Sequence, residues 1–130
     1  MGGRDPRPLT LDAGALIAVE AADRRVNVIL RRATDRGAQI IIPVGALAQA
    51  WRDGSRQVRL ALLLEDPAVT VEIIDAELAK AAGELCGQRC TGDIVDAWVV
   101  LTGRRHNSTV LTSDLNDLRK LDPRLDVVLI

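Results

Sequence analysis

Gln39-Ile40-Ile41-Ile42-Pro43 constrains the fold of this chain more than any other stretch. Three consecutive β-branched residues leave no polar face for water, so a strand built from them is covered on both sides. That is the condition of a parallel strand lying between helices. Pro43 removes a backbone donor and ends the strand. Parallel strands are joined by crossovers, usually helical, and not by tight hairpins, so the remainder of the chain is expected to alternate strand and helix.

It does. Pro8 to Asp12, Val69 to Ile73, Thr109 to Thr112 and Asp126 to Ile130 read as further strands. Helical patterns run over Gly14 to Ala22, about Asp23 to Arg36, Val44 to about Trp51, Ser55 to Leu64, Asp75 to about Gly87, Gly92 to Arg105 and Asp114 to Leu121. Gly37 is a good stop for the second of these. The expected class is α/β, a mainly parallel sheet flanked by helices. With 130 residues and no linker or repeat, residues 1–130 are expected to form one domain.

Composition narrows the function. The chain has two Trp and no Phe or Tyr, so the core is aliphatic and base stacking on an aromatic platform is not expected. With 17 basic and 18 acidic residues the net charge is −1, which gives no support for tight non-specific nucleic-acid binding but leaves room for a local basic stripe. Met1 to Pro8 is polar and no apolar run is long enough to span a bilayer, so a cytoplasmic protein with no membrane partner is expected. Cys86 and Cys90 are expected to be free thiols; with His106 they lack a fourth ligand at zinc spacing. His106 itself is expected at the surface near a helix C-terminus, and Gly83-x-x-x-Gly87 is expected to permit close helix packing. No nucleophile elbow and no glycine-rich phosphate loop is present.

The acids are the informative residues. Thr91 to Leu101 reads as a helix that is apolar nearly all round, yet Asp93 and Asp96 lie three apart on one side of its start. Buried carboxylates need a partner. Function in open α/β sheets gathers at the carboxyl ends of the strands, and Asp12 and Asp114 each follow a strand, with Asp117 one turn beyond. Taken singly, Asp12, Asp93 and Asp114 are each good helix caps. Taken together, several carboxylates in one cleft call for a cation, and an all-oxygen set suits Mg²⁺ or Mn²⁺. Sites of that kind perform phosphoryl chemistry, which points to metal-dependent phosphodiester hydrolysis.

Leu11-Asp12-Ala13-Gly14-Ala15-Leu16-Ile17-Ala18, Ile42-Pro43-Val44-Gly45-Ala46-Leu47-Ala48-Gln49-Ala50-Trp51-Arg52, Asp93-Ile94-Val95-Asp96-Ala97 and Val110-Leu111-Thr112-Ser113-Asp114 occur in this order. In that arrangement the chain resembles PIN-domain proteins, specifically the VapC-like toxin ribonucleases of type II toxin–antitoxin systems. The resemblance covers nearly the whole chain. It implies a single PIN-like domain cutting single-stranded RNA with Mg²⁺ or Mn²⁺, paired with a VapB-like antitoxin and homodimeric. By position it makes Asp12, Asp96 and Asp114 the catalytic, metal-holding acids, with Asp93 one turn earlier as a further candidate ligand; Asp117 is a supporting acid by its spacing from Asp114 alone.

One position departs from the family. Its usual second acid, a Glu on the helix after the second strand, is matched here by Gln49. An amide ligates through its carbonyl but brings no charge, so Glu20 or Asp93 is a candidate replacement. Arg52, Arg56 and Arg59 fall three or four apart and are expected either to share a solvated helix face or to reach toward phosphates or an acidic partner. Two functions follow: a metal-dependent endoribonuclease toxin, or a PIN-fold binding module that lacks turnover. A flavodoxin-like regulatory domain shares the α/β pattern but requires a Lys after its fifth strand, and the only lysines are Lys80 and Lys120.

Overall fold

The triple-isoleucine run forms the second strand of a five-stranded sheet in the computed structural model, which describes residues 6–130. Residues 1–5, and with them most of the polar N-terminal stretch, lie outside the described residues. The elements in chain order are β1 Leu9–Leu11, α1 Ala13–Glu20, α2 Arg24–Asp35, β2 Ile40–Pro43, α3 Val44–Ala50, α4 Val58–Glu65, β3 Val69–Glu72, α5 Ala76–Arg89, α6 Ile94–His106, β4 Thr109–Thr112, α7 Leu115–Leu121 and β5 Val127–Leu129.

The strands are ordered β3-β2-β1-β4-β5 and every neighbouring pair is parallel. A flavodoxin-like sheet has the order 2-1-3-4-5, so that alternative is excluded. β1, β2 and β4 are buried along their whole length or nearly so, as the β-branched pattern requires. The chain builds outward from β1 to one edge through β2 and β3, then returns to the other side of β1 with β4. The reversal lies between β1 and β4, whose register pairs Leu11 with Leu111. In such sheets ligands bind in the crevice at the carboxyl side of this switch point.

α6 is the buried helix the sequence indicated. Ala97, Trp98, Val99, Val100, Thr102 and Gly103 are all buried in it, and it packs between the sheet, α5 and α7. Its close approaches use glycine. A Cβ at Gly45 would sit 2.7 Å from the Trp98 ring, and one at Gly103 would sit 2.9 Å from Val110. Gly83 and Gly87 of α5 have no such role, because nothing lies within 4 Å of a Cβ at either position. The expectation of close packing there is corrected.

Two further expectations change. The helix expected from Ser55 begins at Val58, because side chains capture the preceding backbone first. Asp53 Oδ1 accepts from Ser55 N–H at 3.0 Å, and Gln57 Oε1 accepts from the N–H groups of Arg52 and Asp53 at 2.7 and 2.9 Å. Arg52 and Arg56 therefore lie in this turn and only Arg59 on α4, so the three arginines do not form one helical face. His106 is half-buried in the last turn of α6 and bonds Glu72, which also accepts from Thr102 Oγ1 at 2.9 Å. The cluster fastens edge strand β3 to α6. Among the described residues, no helix is long and apolar enough to cross a membrane.

Candidate metal centre

Asp12 leaves the carboxyl end of β1 and is the N-cap of α1. Its backbone N–H extends the ladder to Leu111 O at 3.3 Å, while its Oδ1 accepts from Ala15 N–H at 2.9 Å. Only 8% of the residue is exposed. Asp114, after β4, caps α7 in the same manner, with Oδ1 accepting from Asp117 N–H at 3.3 Å. Asp93 caps α6, with Oδ1 accepting from Asp96 N–H at 3.0 Å. Three helix N-termini thus converge on the switch point, each closed by an aspartate. Capping engages one oxygen of each carboxylate and leaves Oδ2 for another partner.

Asp96 has a different role. It sits one turn inside α6, half-buried, and caps nothing. Burial pushes its carboxyl up to about 7, helped by the charge and a hydrogen bond of Asp93 and then by the charges of Asp117 and Asp12. Burial also raises Asp12, as does the charge of Asp114, against the lowering effect of hydrogen bonds from Thr112 and from the Ala15 amide. Asp117 is raised by its hydrogen bond with Asp114 and by that neighbour's charge. Asp12, Asp93, Asp96, Asp114 and Asp117 therefore feel one another. The one cation within ion-pair distance of any of them, among the described residues, is Lys120, 3.8 Å from Asp117.

Thr112 escaped sequence reasoning. It is fully buried and its hydroxyl accepts from Asp114 N–H at 2.9 Å, while it also acts on Asp12 by lowering that acid's pKa. A Thr two residues before a capping Asp is the local signal, since Thr and Ser hydroxyls accept from backbone two positions on. Gly14 completes the close fit, for a Cβ there would lie 2.0 Å from Ser113 Oγ.

Gln49 and Glu20 lie elsewhere in the arrangement. Gln49 is exposed near the end of α3, with no side-chain hydrogen bond to any of the acids among the described residues. Glu20 reaches across 40 positions of sequence to α4, where Oε2 accepts from Leu60 N–H at 2.8 Å. It caps that helix. Cys86 is buried and donates to Asp93 O at 3.5 Å, its thiol pushed up first by burial and then by the charges of Asp93 and Asp96; Cys90 is exposed and free.

The donor chemistry fits a hard divalent ion: carboxylates only, no thiol or imidazole, and negative charge in excess of the available cations. The side chains are not drawn together as a ready ligand set, since among the described residues no group of three or more His, Cys, Asp or Glu is so placed.

The PIN domain matches residues 9–122, nearly the whole chain, so the chain belongs to that family; the parallel sheet in the order 3-2-1-4-5 with aspartates at its switch point is consistent with it. PIN domains generally use divalent metal ions. Among solved structures, the chain is similar to VapBC2 from Rickettsia felis, described bound to a DNA fragment from their promoter. The TM-score is 0.70 at 16% identity, covering 94% of this chain and 98% of that one. It is also similar to FitAcB from Neisseria gonorrhoeae, with a TM-score of 0.61 at 18% identity, covering 92% and 95%. These likenesses show the fold. No curated protein matches by sequence.

Proposed function

We propose that this PIN domain is a metal-dependent endoribonuclease, the toxin of a toxin–antitoxin pair. The observation that carries the reading is the under-neutralised group of five aspartates at the switch point, with Asp96 pushed up to about 7. Asp12, Asp96 and Asp114 would hold Mg²⁺ or Mn²⁺. Asp93 is either a cap alone or the replacement for the charge that Gln49 does not bring. A divalent ion so held supplies Lewis-acid polarisation of the phosphate and makes water acidic enough to attack.

The chain's own contribution is placement. Thr112 holds the Asp114 backbone, and the first turn of α6 carries Asp96. The caps occupy one oxygen of Asp12, Asp93 and Asp114, and the other oxygen of each would be the one to hold an ion. The likeness to VapBC2 and FitAcB supports a small VapB-like antitoxin as partner; a cytoplasmic location and a homodimer are part of the same proposal. Exposed Val58 and Leu62 supply apolar surface for association.

Gln49 favours the second reading, a PIN-fold binding module without turnover. The two separate on a single-stranded RNA incubated with Mg²⁺ or Mn²⁺. The nuclease reading expects cleavage by wild type and none by Asp12→Asn, a variant that retains a capping oxygen. Equal behaviour of the two proteins would sink it.

A further inference from the structure

We infer that the cleft between α1, α3 and the turn after α3 is a base-reading pocket, which takes a nucleobase of the RNA strand next to the cut. The inference rests on the nuclease reading above and assigns it a specificity determinant. The cleft has a volume of about 400 Å³, enough for one base, and Ile17, Ala21 and Ala50 provide its apolar wall. Glu20 lines it from the end of α1, and Gln49 and Arg52 from the end of α3 and the turn after it.

Each of those polar groups has capacity left over. Gln49 has no side-chain partner among the described residues, so its amide offers two donors and an acceptor. Glu20 uses Oε2 on Leu60 N–H and keeps Oε1. Arg52 donates Nη1 to the carbonyls of Ala48 and Trp51 at 3.1 and 2.8 Å, keeping Nε and Nη2. Arg59 stands beside them, donating to Glu20 O at 3.4 Å. Two guanidinium groups against one carboxylate make the rim attractive to a phosphodiester backbone. Apolar walls for the base faces, with an amide and a carboxylate for its edge, are what reading an unstacked base requires.

The position along α1 is also suitable. Ile17 and Glu20 lie five and eight residues beyond Asp12, which at the rise of an α-helix is roughly 8–12 Å along its axis. That is the reach of a nucleotide flanking the phosphate at the acids. A chain without Phe or Tyr has no aromatic platform for bases, and here an aliphatic wall with the Arg52 guanidinium plane takes that part.

The test uses fluorescence anisotropy with four labelled single-stranded RNAs that differ only in one central base, in Ca²⁺ to screen the acids. Wild type is expected to prefer one base by about tenfold, the scale of a good side-chain contact to a base edge. Gln49→Ala should bring the four affinities together. Gln49→Glu, which only accepts, should shift the preference toward an edge that donates, such as cytosine; a structural role for Gln49 would not produce that shift. Four equal affinities for wild type, or the same ranking in Gln49→Ala, overturns the pocket, and a cleft that serves a protein partner gives that result. A wild type that neither binds nor cuts RNA overturns the nuclease reading beneath it.

Discussion

An aspartate has two carboxylate oxygens, and this site uses them for two purposes. Asp12, Asp93 and Asp114 are each a helix cap through Oδ1 and each a candidate ligand through Oδ2, so the structural and functional accounts of these residues are compatible. Asp96 caps nothing, and its environment gives a pH signature. Its folded pKa of about 7 stands above the ordinary 3.8, so its contribution to stability is complete below about pH 4 and is lost as pH rises through 7. Thermal melts of metal-free protein should show a decline across that window relative to Asp96→Asn, in which the group cannot ionise. Parallel curves for the two proteins would contradict the placement of Asp96. Thr112→Val removes the buried hydroxyl that accepts from Asp114 N–H while keeping the shape. Denaturant unfolding should register a loss of about 1–2 kcal/mol, the scale of a buried hydrogen bond left unmade.

At the scale of elements, the glycines separate by what faces them. Gly45 of α3 touches the Trp98 ring of α6, whereas Gly83 of α5 faces open space. Gly45→Ala forces a methyl against a buried ring and should destabilise by about 1–3 kcal/mol. Gly83→Ala should stabilise by roughly 0.5–1 kcal/mol, since alanine is the better helix former where nothing clashes. Opposite signs in the two chemical melts would confirm that α3 and α6 are pressed together at glycine while the outer face of α5 is not. The Gly-x-x-x-Gly spacing gave no hint of this, because spacing reports which residues share a helix face but not whether another element covers it. Ser55 to Gln57 holds the same lesson: helical spacing began at Ser55, but the Asp53 and Gln57 side chains captured the backbone first and the helix starts at Val58.

Over the whole molecule, three helix N-termini and two strand ends concentrate negative charge at one crevice, and relief of that charge should be measurable as stability. A divalent ion held by the folded chain alone stabilises it by about 2.7 kcal/mol at a hundredfold excess over its dissociation constant. Mg²⁺ or Mn²⁺ should therefore raise the melting temperature of wild type by several degrees and do much less for Asp12→Asn or Asp96→Asn. Equal shifts in all three would remove these acids from the ion's surroundings. The alternation of β-branched runs with helical patterns was enough to specify the α/β class, the strands in order and Asp12 and Asp114 at strand ends, because those properties follow from which residues must leave water and at what period. The tertiary structure decided the strand order 3-2-1-4-5, the charge of Asp12 felt at Asp96 and the distant cap that Glu20 makes on α4. Each of these depends on residues far apart in sequence, and local periodicity does not encode which crossover packs against which; only the folded sheet brings them to one place.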